Sequence, residues 1–267
     1  FKTCGPQPRS WRAWSRNSRR LGRGYVEAND AANAKLKIES LNLRTAADVQ
    51  AQSAIPLASR YTERSTYDLL RASAAAHADS PALTLLLRGT LDEDPIVYGY
   101  RELFARVTQA ANAFSRLGIG PGDVVAYLLP NLPQTHFTIW GGETAGRVAA
   151  INPLLEPSQI LQILRAVKAR VLVTLAPGAP ALDLWAKCVP ILGEVETLEH
   201  VLCVDPANLV RRPLAPRVYP PQGRVAVHDF DALLEREPGS HLGFQREIDP
   251  SDIASLFHTG GTTGMPQ

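Results

Sequence analysis

Apolar residues recur at helical spacing at Leu103, Phe104, Val107, Ala110, Ala111, Phe114 and Leu117. Steps of three and four place them on one face, which predicts an amphipathic helix with Gly118 as its stop. The chain then turns through Gly118-Ile119-Gly120-Pro121-Gly122-Asp123 into a continuous apolar run over residues 124–129. A run with no polar alternation reads as a strand buried on both faces. Pro133 suits the first turn of a helix reaching about residue 145, because proline's missing N–H is not needed there. The same rhythm continues with a strand over 148–151, a helix carrying Ile160, Leu161, Ile163, Leu164 and Val167, and a strand over 171–175. A helix over 181–192, a strand over 201–204, a short helix over 230–236 and a final strand ending near Phe257 complete it. Strands separated by helices predict βαβ units: an α/β fold with a parallel sheet flanked by helices.

Two features interrupt the rhythm. Pro206, Pro213, Pro216, Pro220 and Pro221 make residues 205–224 a long surface loop. The glycines of 118–122 imitate a dinucleotide fingerprint, but they follow a helix and precede a strand, the reverse of the required order, so they read as a connector. Neither an internal repeat nor a strong interdomain linker is visible.

Composition narrows the class. With 45% hydrophobic and 20% charged residues, and no apolar run of membrane-spanning length, the 267-residue chain reads as globular. Cys4, Cys188 and Cys203 form no Cys-x-x-Cys and read as free thiols of a reducing compartment, hence the cytoplasm in the absence of a secretory signal. The six histidines lack metal-ligand spacing, so no structural metal is expected. Lys2, Arg9, Arg12, Arg16, Arg19, Arg20 and Arg23 give the first 24 residues seven positive charges and no acid. Removing those seven from the 28 basic residues leaves 21 against 26 acids, so the rest of the chain is acidic. The tail is compatible with a nucleic-acid-binding arm or a targeting segment. The preferred reading is untranslated upstream sequence or a misassigned start, since the chain opens on Phe1 and its only methionine is Met265.

Chemistry concentrates at Phe257-His258-Thr259-Gly260-Gly261-Thr262-Thr263-Gly264-Met265-Pro266-Gln267. Glycines let successive backbone N–H groups converge on one point, and three threonine hydroxyls add donors suited to phosphate oxygens. No Gly-Lys pair occurs in the chain, which excludes a Walker-type loop. His258 could donate to a phosphate; strand alternation equally turns it into a packing layer, and packing is preferred. His136, beside Phe137, Ile139 and Trp140, reads as structural, as do Trp140 and Trp185. Arg211, Arg212 and Arg217 read as a solvated face.

Residues 259–266 resemble the Thr-Ser-Gly-Thr-Thr-Gly-x-Pro-Lys signature of the adenylate-forming superfamily, and Phe257–Gly264 is most similar to its acyl-CoA synthetase branch. Asp123–Pro130 with Asn131-Leu132-Pro133-Gln134-Thr135-His136-Phe137, and Gly141–Pro153, resemble earlier segments of those enzymes in the same order. Two positions depart from the signature: Gly260 replaces a serine, removing a hydroxyl but keeping the backbone cradle, and Gln267 replaces the lysine, removing a positive charge. The resemblance covers residues 46–267 as the N-terminal part of an AMP-binding domain that stops after the phosphate loop, and leaves 1–45 outside as a basic, disordered tail. It implies the N-terminal portion of the large domain of an acyl-CoA-synthetase-like enzyme.

The activity implied is an acid–thiol ligase that converts a carboxylic acid and ATP to an acyl-adenylate and pyrophosphate, then transfers the acyl group to CoA, with Mg²⁺ sharing the phosphate charge. Thr259, Thr262 and Thr263, with the backbone of Gly260, Gly261 and Gly264, would hold the β- and γ-phosphates. No catalytic residue and no metal ligand is expected within the chain. The nucleoside contacts, acyl pocket and C-terminal lysine domain of that family lie beyond residue 267, so the chain alone is expected to lack turnover and to leave its last strand at an exposed sheet edge. Competing readings are an aryl- or amino-acid-activating ligase and a non-catalytic, truncated nucleotide-binding protein. Partners expected are small molecules, with no nucleic acid and no membrane span.

Overall fold

The run Val124–Leu128 is apolar throughout because it lies at the centre of a sheet covered on both faces. The structure, a computed structural model, describes residues 44–56, 59, 62–87, 89–90, 92–179, 182–210 and 216–258. The chain divides into two compact units, residues 1–62 and 63–267. In the first, helix α1 (Ala46–Ser53) begins with a capping box. The Thr45 hydroxyl accepts from the Asp48 N–H, and the Asp48 carboxylate accepts from the Thr45 N–H at 2.8 Å. Hydrogen bonding from the Thr45 side chain, and from the backbone N–H groups of Arg44 and Thr45, holds the Asp48 carboxyl below its usual range.

The second unit opens with α2 (Thr66–Ala76) and a hairpin of β1 (Pro81–Leu85) and β2 (Ile96–Gly99). The main sheet then follows as β3 (Val124–Leu128), β4 (Arg147–Ala150), β5 (Ala169–Leu175), β6 (His200–Val204), β7 (Ala226–Asp229) and β8 (Ser255–Phe257). Its order is β7-β6-β5-β3-β4-β8, and every pairing is parallel. Helices α3 (Tyr100–Arg116), α4 (Pro133–Ala145), α5 (Pro157–Ala166), α6 (Leu184–Cys188) and α7 (Phe230–Leu234) lie between these elements. The step from β3 to β4 and the step from β4 to β5 run in opposite directions along the sheet. Right-handed crossovers therefore put α4 and α5 on opposite faces. The parallel sheet flanked by helices is as the periodicity predicts.

Phe114, Phe137, Leu164, Leu172, Leu202 and Phe230 are fully buried between these layers. Gly118 ends α3 in the left-handed region, at φ +84°. Its N–H reaches the Ser115 carbonyl and the Ile119 N–H reaches that of Phe114, which satisfies two terminal carbonyls. Glycine also lets α3 and α4 touch: a Cβ on Gly141 would lie 2.6 Å from the Ala110 Cβ.

Three sequence expectations change. The helix expected over 181–192 is α6 followed by a 3-10 turn, Val189–Glu194, because Pro190 cannot donate to a continuing α-helix. The alternation of helices and strands read from the sequence omits the antiparallel hairpin β1–β2 and the strand β7. The loop over 205–224 contains a 3-10 turn, Pro206–Leu209. Arg217 is exposed, as expected, and is tethered at the surface: its guanidinium pairs with Asp205 at 2.8 Å and its backbone N–H donates to Asp229 at 3.0 Å. Arg211 and Arg212, Cys4 and the basic segment 1–24 lie outside the described residues. Cys188 and Cys203 are free and buried, and burial pushes both thiols up to about 12. They remain protonated and unreactive near neutrality. Among the described residues no helix is long and apolar enough to cross a membrane.

Candidate functional site: the carboxyl edge of the sheet

Parallel pairing puts the carboxyl ends of β3 to β8 on one edge of the sheet. In open α/β sheets ligands collect outside this edge, where neighbouring connections leave in opposite directions. Here that point lies between β3, whose connection runs toward β4, and β5, whose connection runs toward β6. β8 is paired to β4 from Val148↔Ser255 to Ala150↔Phe257. β8 therefore ends at Phe257 level with the end of β4, where Ile151 follows β4 and His258 follows β8. The candidate phosphate residues Thr259, Gly260, Gly261, Thr262, Thr263 and Gly264 lie outside the described residues. What is described is the strand that delivers them and what holds that strand.

β8 is three residues long and, among the described residues, forms an edge of the sheet. Leu256 packs against the core while Phe257 is 73% exposed. The alternation places half-buried His258 on the same side as Leu256. The Ser255 hydroxyl donates to the Glu143 carboxylate of α4, and the Val148 N–H donates to the Ala254 carbonyl at 2.9 Å. Just upstream, Arg246 is buried; its Nη1 donates to the carbonyls of Glu143, Thr144 and Gly146 at 3.0, 3.0 and 3.1 Å. These carbonyls end α4, where a cation also complements the helix dipole.

The crossover from α7 to β8 is held by α3 as well. Asn112 donates to the carbonyls of Pro238 and His241, both at 2.9 Å, and accepts from the Gly243 N–H at 2.7 Å. Gln109 donates to the Glu237 carbonyl, and Arg116 pairs with the buried Glu237 carboxylate. None of these partners is visible in sequence, because each joins residues more than a hundred positions apart and follows no period.

Acidic groups farther along the carboxyl edge are committed to structure. Asp205 receives the Ala207 N–H and Arg217, while Asp229 caps α7 through the Ala232 N–H. Asp231 accepts from Asn208 at 3.0 Å and from Gln134 at 3.3 Å, and burial raises its pKa. His136 stacks near Trp140, with ring centroids 5.4 Å apart; burial lowers its pKa, in keeping with a neutral packing residue. Among the described residues no group of three His, Cys, Asp or Glu side chains could hold a metal ion. A cleft of about 140 Å³ lined by Arg64, Thr66, Thr144, Asp249 and Asp252 lies at the amino end of β8, away from the strand exits. It is below the roughly 300–1,000 Å³ of ordinary ligand pockets.

Comparison with known proteins agrees with this fold. Residues 70–267 match the family model described as AMP-binding enzyme. Marinolic acid–CoA ligase of Pseudoalteromonas sp. (strain SANK 73390) is 28% identical over 227 residues, covering 85% of this chain and 32% of that relative. 4-Coumarate–CoA ligase 2 of Solanum tuberosum is 28% identical over 172 residues, covering 64% of this chain and 27% of the relative. The chain thus spans about a third of the length of these curated relatives. Among solved structures, the anthranilate CoA ligase AuaEII in complex with anthranoyl-AMP aligns with a TM-score of 0.61 at 22% identity, over 79% of this chain and 35% of that one.

Proposed function

The chain belongs to the AMP-binding enzyme family, and on that premise we propose that it is the amino-terminal part of an acid–thiol ligase, with residues 46–267 inside the AMP-binding domain. A carboxylate oxygen of the acid attacks the α-phosphorus of ATP, and the bond to pyrophosphate breaks. The thiol of coenzyme A then attacks the acyl carbon, and AMP leaves. In this reading Thr259, Thr262 and Thr263, with the backbone N–H groups of Gly260, Gly261 and Gly264, hold the β- and γ-phosphates, which positions the α-phosphorus for in-line attack. Mg²⁺ accompanies the triphosphate as part of the substrate. The observation that supports the reading is that β8, the strand preceding the Gly/Thr segment, ends at the carboxyl edge of the sheet, the edge at which α/β sheets bind ligands.

The acid class has one pointer. Several of the similar proteins are named for 4-coumarate, an aromatic acid, which favours an aromatic carboxylic acid over a fatty acid.

The test separates binding from turnover. ATP and pyrophosphate should each raise the melting temperature of the purified chain, since a ligand that binds only the folded state stabilises it. The chain alone should form no acyl-AMP from ATP and 4-coumarate or anthranilate. No thermal shift with either phosphate ligand removes the phosphate-loop assignment; acyl-AMP formation removes the claim that the chain lacks turnover.

A further inference from the structure

His200 opens β6 and His228 lies in β7, and neither takes part in the chemistry proposed above. The register pairs His200 with Ala226 and Leu202 with His228, so the two side chains stand on one face of the sheet as diagonal neighbours. Their half-buried rings have centroids 5.2 Å apart, and His200 Nδ1 lies 3.2 Å from His228 Nε2. Such a contact is a hydrogen bond only if one ring donates and the other accepts. Two neutral rings meet that condition, and so does one imidazolium beside a neutral ring. Two imidazolium rings do not, because both nitrogens then carry protons and both rings carry charge. Among the described residues no third His, Cys, Asp or Glu joins them in a metal-binding group, which leaves the proton as the occupant with support. Burial disfavours charge on both rings and lowers both pKa values. At His200 the adjacent Glu199 carboxylate offsets part of this, and Arg170 of β5, shared between Glu199 and Asp123, adds to it. At His228, His200 and Arg236 beyond α7 both add to it. These charges favour His200 as the ring protonated first and leave His228 as the acceptor.

We propose that the His200–His228 pair is a pH-sensitive latch on the strand β7: with at most one ring charged it ties β7 to β6, and with both rings charged it drives the strand off. β7 is suited to such control. It is four residues long and, among the described residues, is an edge of the sheet paired only with β6. The residue after His228, Asp229, caps α7 through the Ala232 N–H and accepts the Arg217 N–H. Movement of β7 away from β6 is therefore passed to the start of α7. A histidine whose folded-state pKa is lowered contributes stability above its unfolded value of about 6.5, and that contribution is lost as pH falls through the folded value. The latch thus opens on acidification, and the second proton, on His228, is the one that breaks the bond.

The experiment is amide hydrogen exchange of the full chain at about pH 7.5 and about pH 5, on either side of the unperturbed histidine value, expressed as protection factors so that the intrinsic pH dependence of exchange cancels. Protection of residues 226–229 should fall about tenfold on acidification while that of β5 stays unchanged. His228→Gln gives His200 an acceptor that takes no proton, so β7 should keep its protection at both pH values. His200→Gln removes the other proton site, should act in the same way, and serves if His228→Gln fails to fold. His241→Gln, at an exposed histidine outside the pair, should respond to acid as the wild type does. In the wild-type chain the two imidazoles should titrate by proton NMR in two separate steps, as coupled sites do. Protection of β7 that does not change with pH, an equal loss in β5, or an acid response that survives in a folded Gln variant of the pair overturns the latch. So does a single NMR step at the unperturbed value, a result that needs no variant.

Discussion

Asp231 shows how a single side chain departs from what its type suggests. It sits where helix α7 begins, between Asn208 and Gln134, and burial raises its pKa. A carboxyl with a raised folded-state pKa holds its proton more tightly when folded. Its contribution to stability is therefore fully present below the unfolded value and is lost as pH rises through the folded value. Asp231→Asn removes the buried charge and offers an amide to Gln134, whose Oε1 has no partner. In urea unfolding the variant should match the parent near pH 3 and exceed it by about 1 kcal/mol near pH 7. A less stable variant near pH 7 would mean that the carboxylate's bonds outweigh its desolvation. Residue chemistry of this kind was partly legible in sequence. The thiols were read as free, His136 as packing and Arg217 as exposed, whereas the pairing of Arg217 with Asp205 and Asp229 arises only through the fold.

At the level of elements, periodicity located helices and strands where burial has a simple pattern. α3 has a regular apolar face and α4 starts at Pro133, and both begin and end close to their predicted limits. α6 was overextended because its apolar residues continue into a segment that Pro190 forces into a 3-10 turn. The hairpin was missed because β1 and β2 are short, mostly half-buried and joined without a helix, so they do not follow the strand–helix–strand rhythm. Packing between elements adds a demand that period alone does not express. Gly141 in α4 is a contact point, and a Cβ there would meet the Ala110 Cβ at 2.6 Å and the Ala111 nitrogen at 2.9 Å. Helix propensity favours alanine over glycine by about 1 kcal/mol. The clash should win, so that Gly141→Ala lowers stability by about 1–2 kcal/mol in denaturant unfolding. Ala110→Gly in the same chain should return part of the loss. A stabilised Gly141→Ala would show that α3 and α4 can separate without cost.

For the whole molecule, the sheet ends on β8 among the described residues, with Phe257 73% exposed. An apolar edge strand is a template for further pairing. Phe257→Lys should reduce concentration-dependent association in sedimentation velocity and leave the melting temperature nearly unchanged. Unaltered association would mean that another surface drives it. The sequence by itself determined the α/β class, the order of most helices and strands, and the Gly/Thr segment with its family resemblance. These are local properties: side-chain period follows from backbone geometry, and a loop motif is contiguous. Only the tertiary structure decided the strand order β7-β6-β5-β3-β4-β8, the placement of β8 beside β4, and the long-range bonds of Asn112, Glu143 and Arg246 that hold it there. Periodicity reports which face of an element is buried but not against what, and a hydrogen bond across a hundred residues leaves no spacing to read.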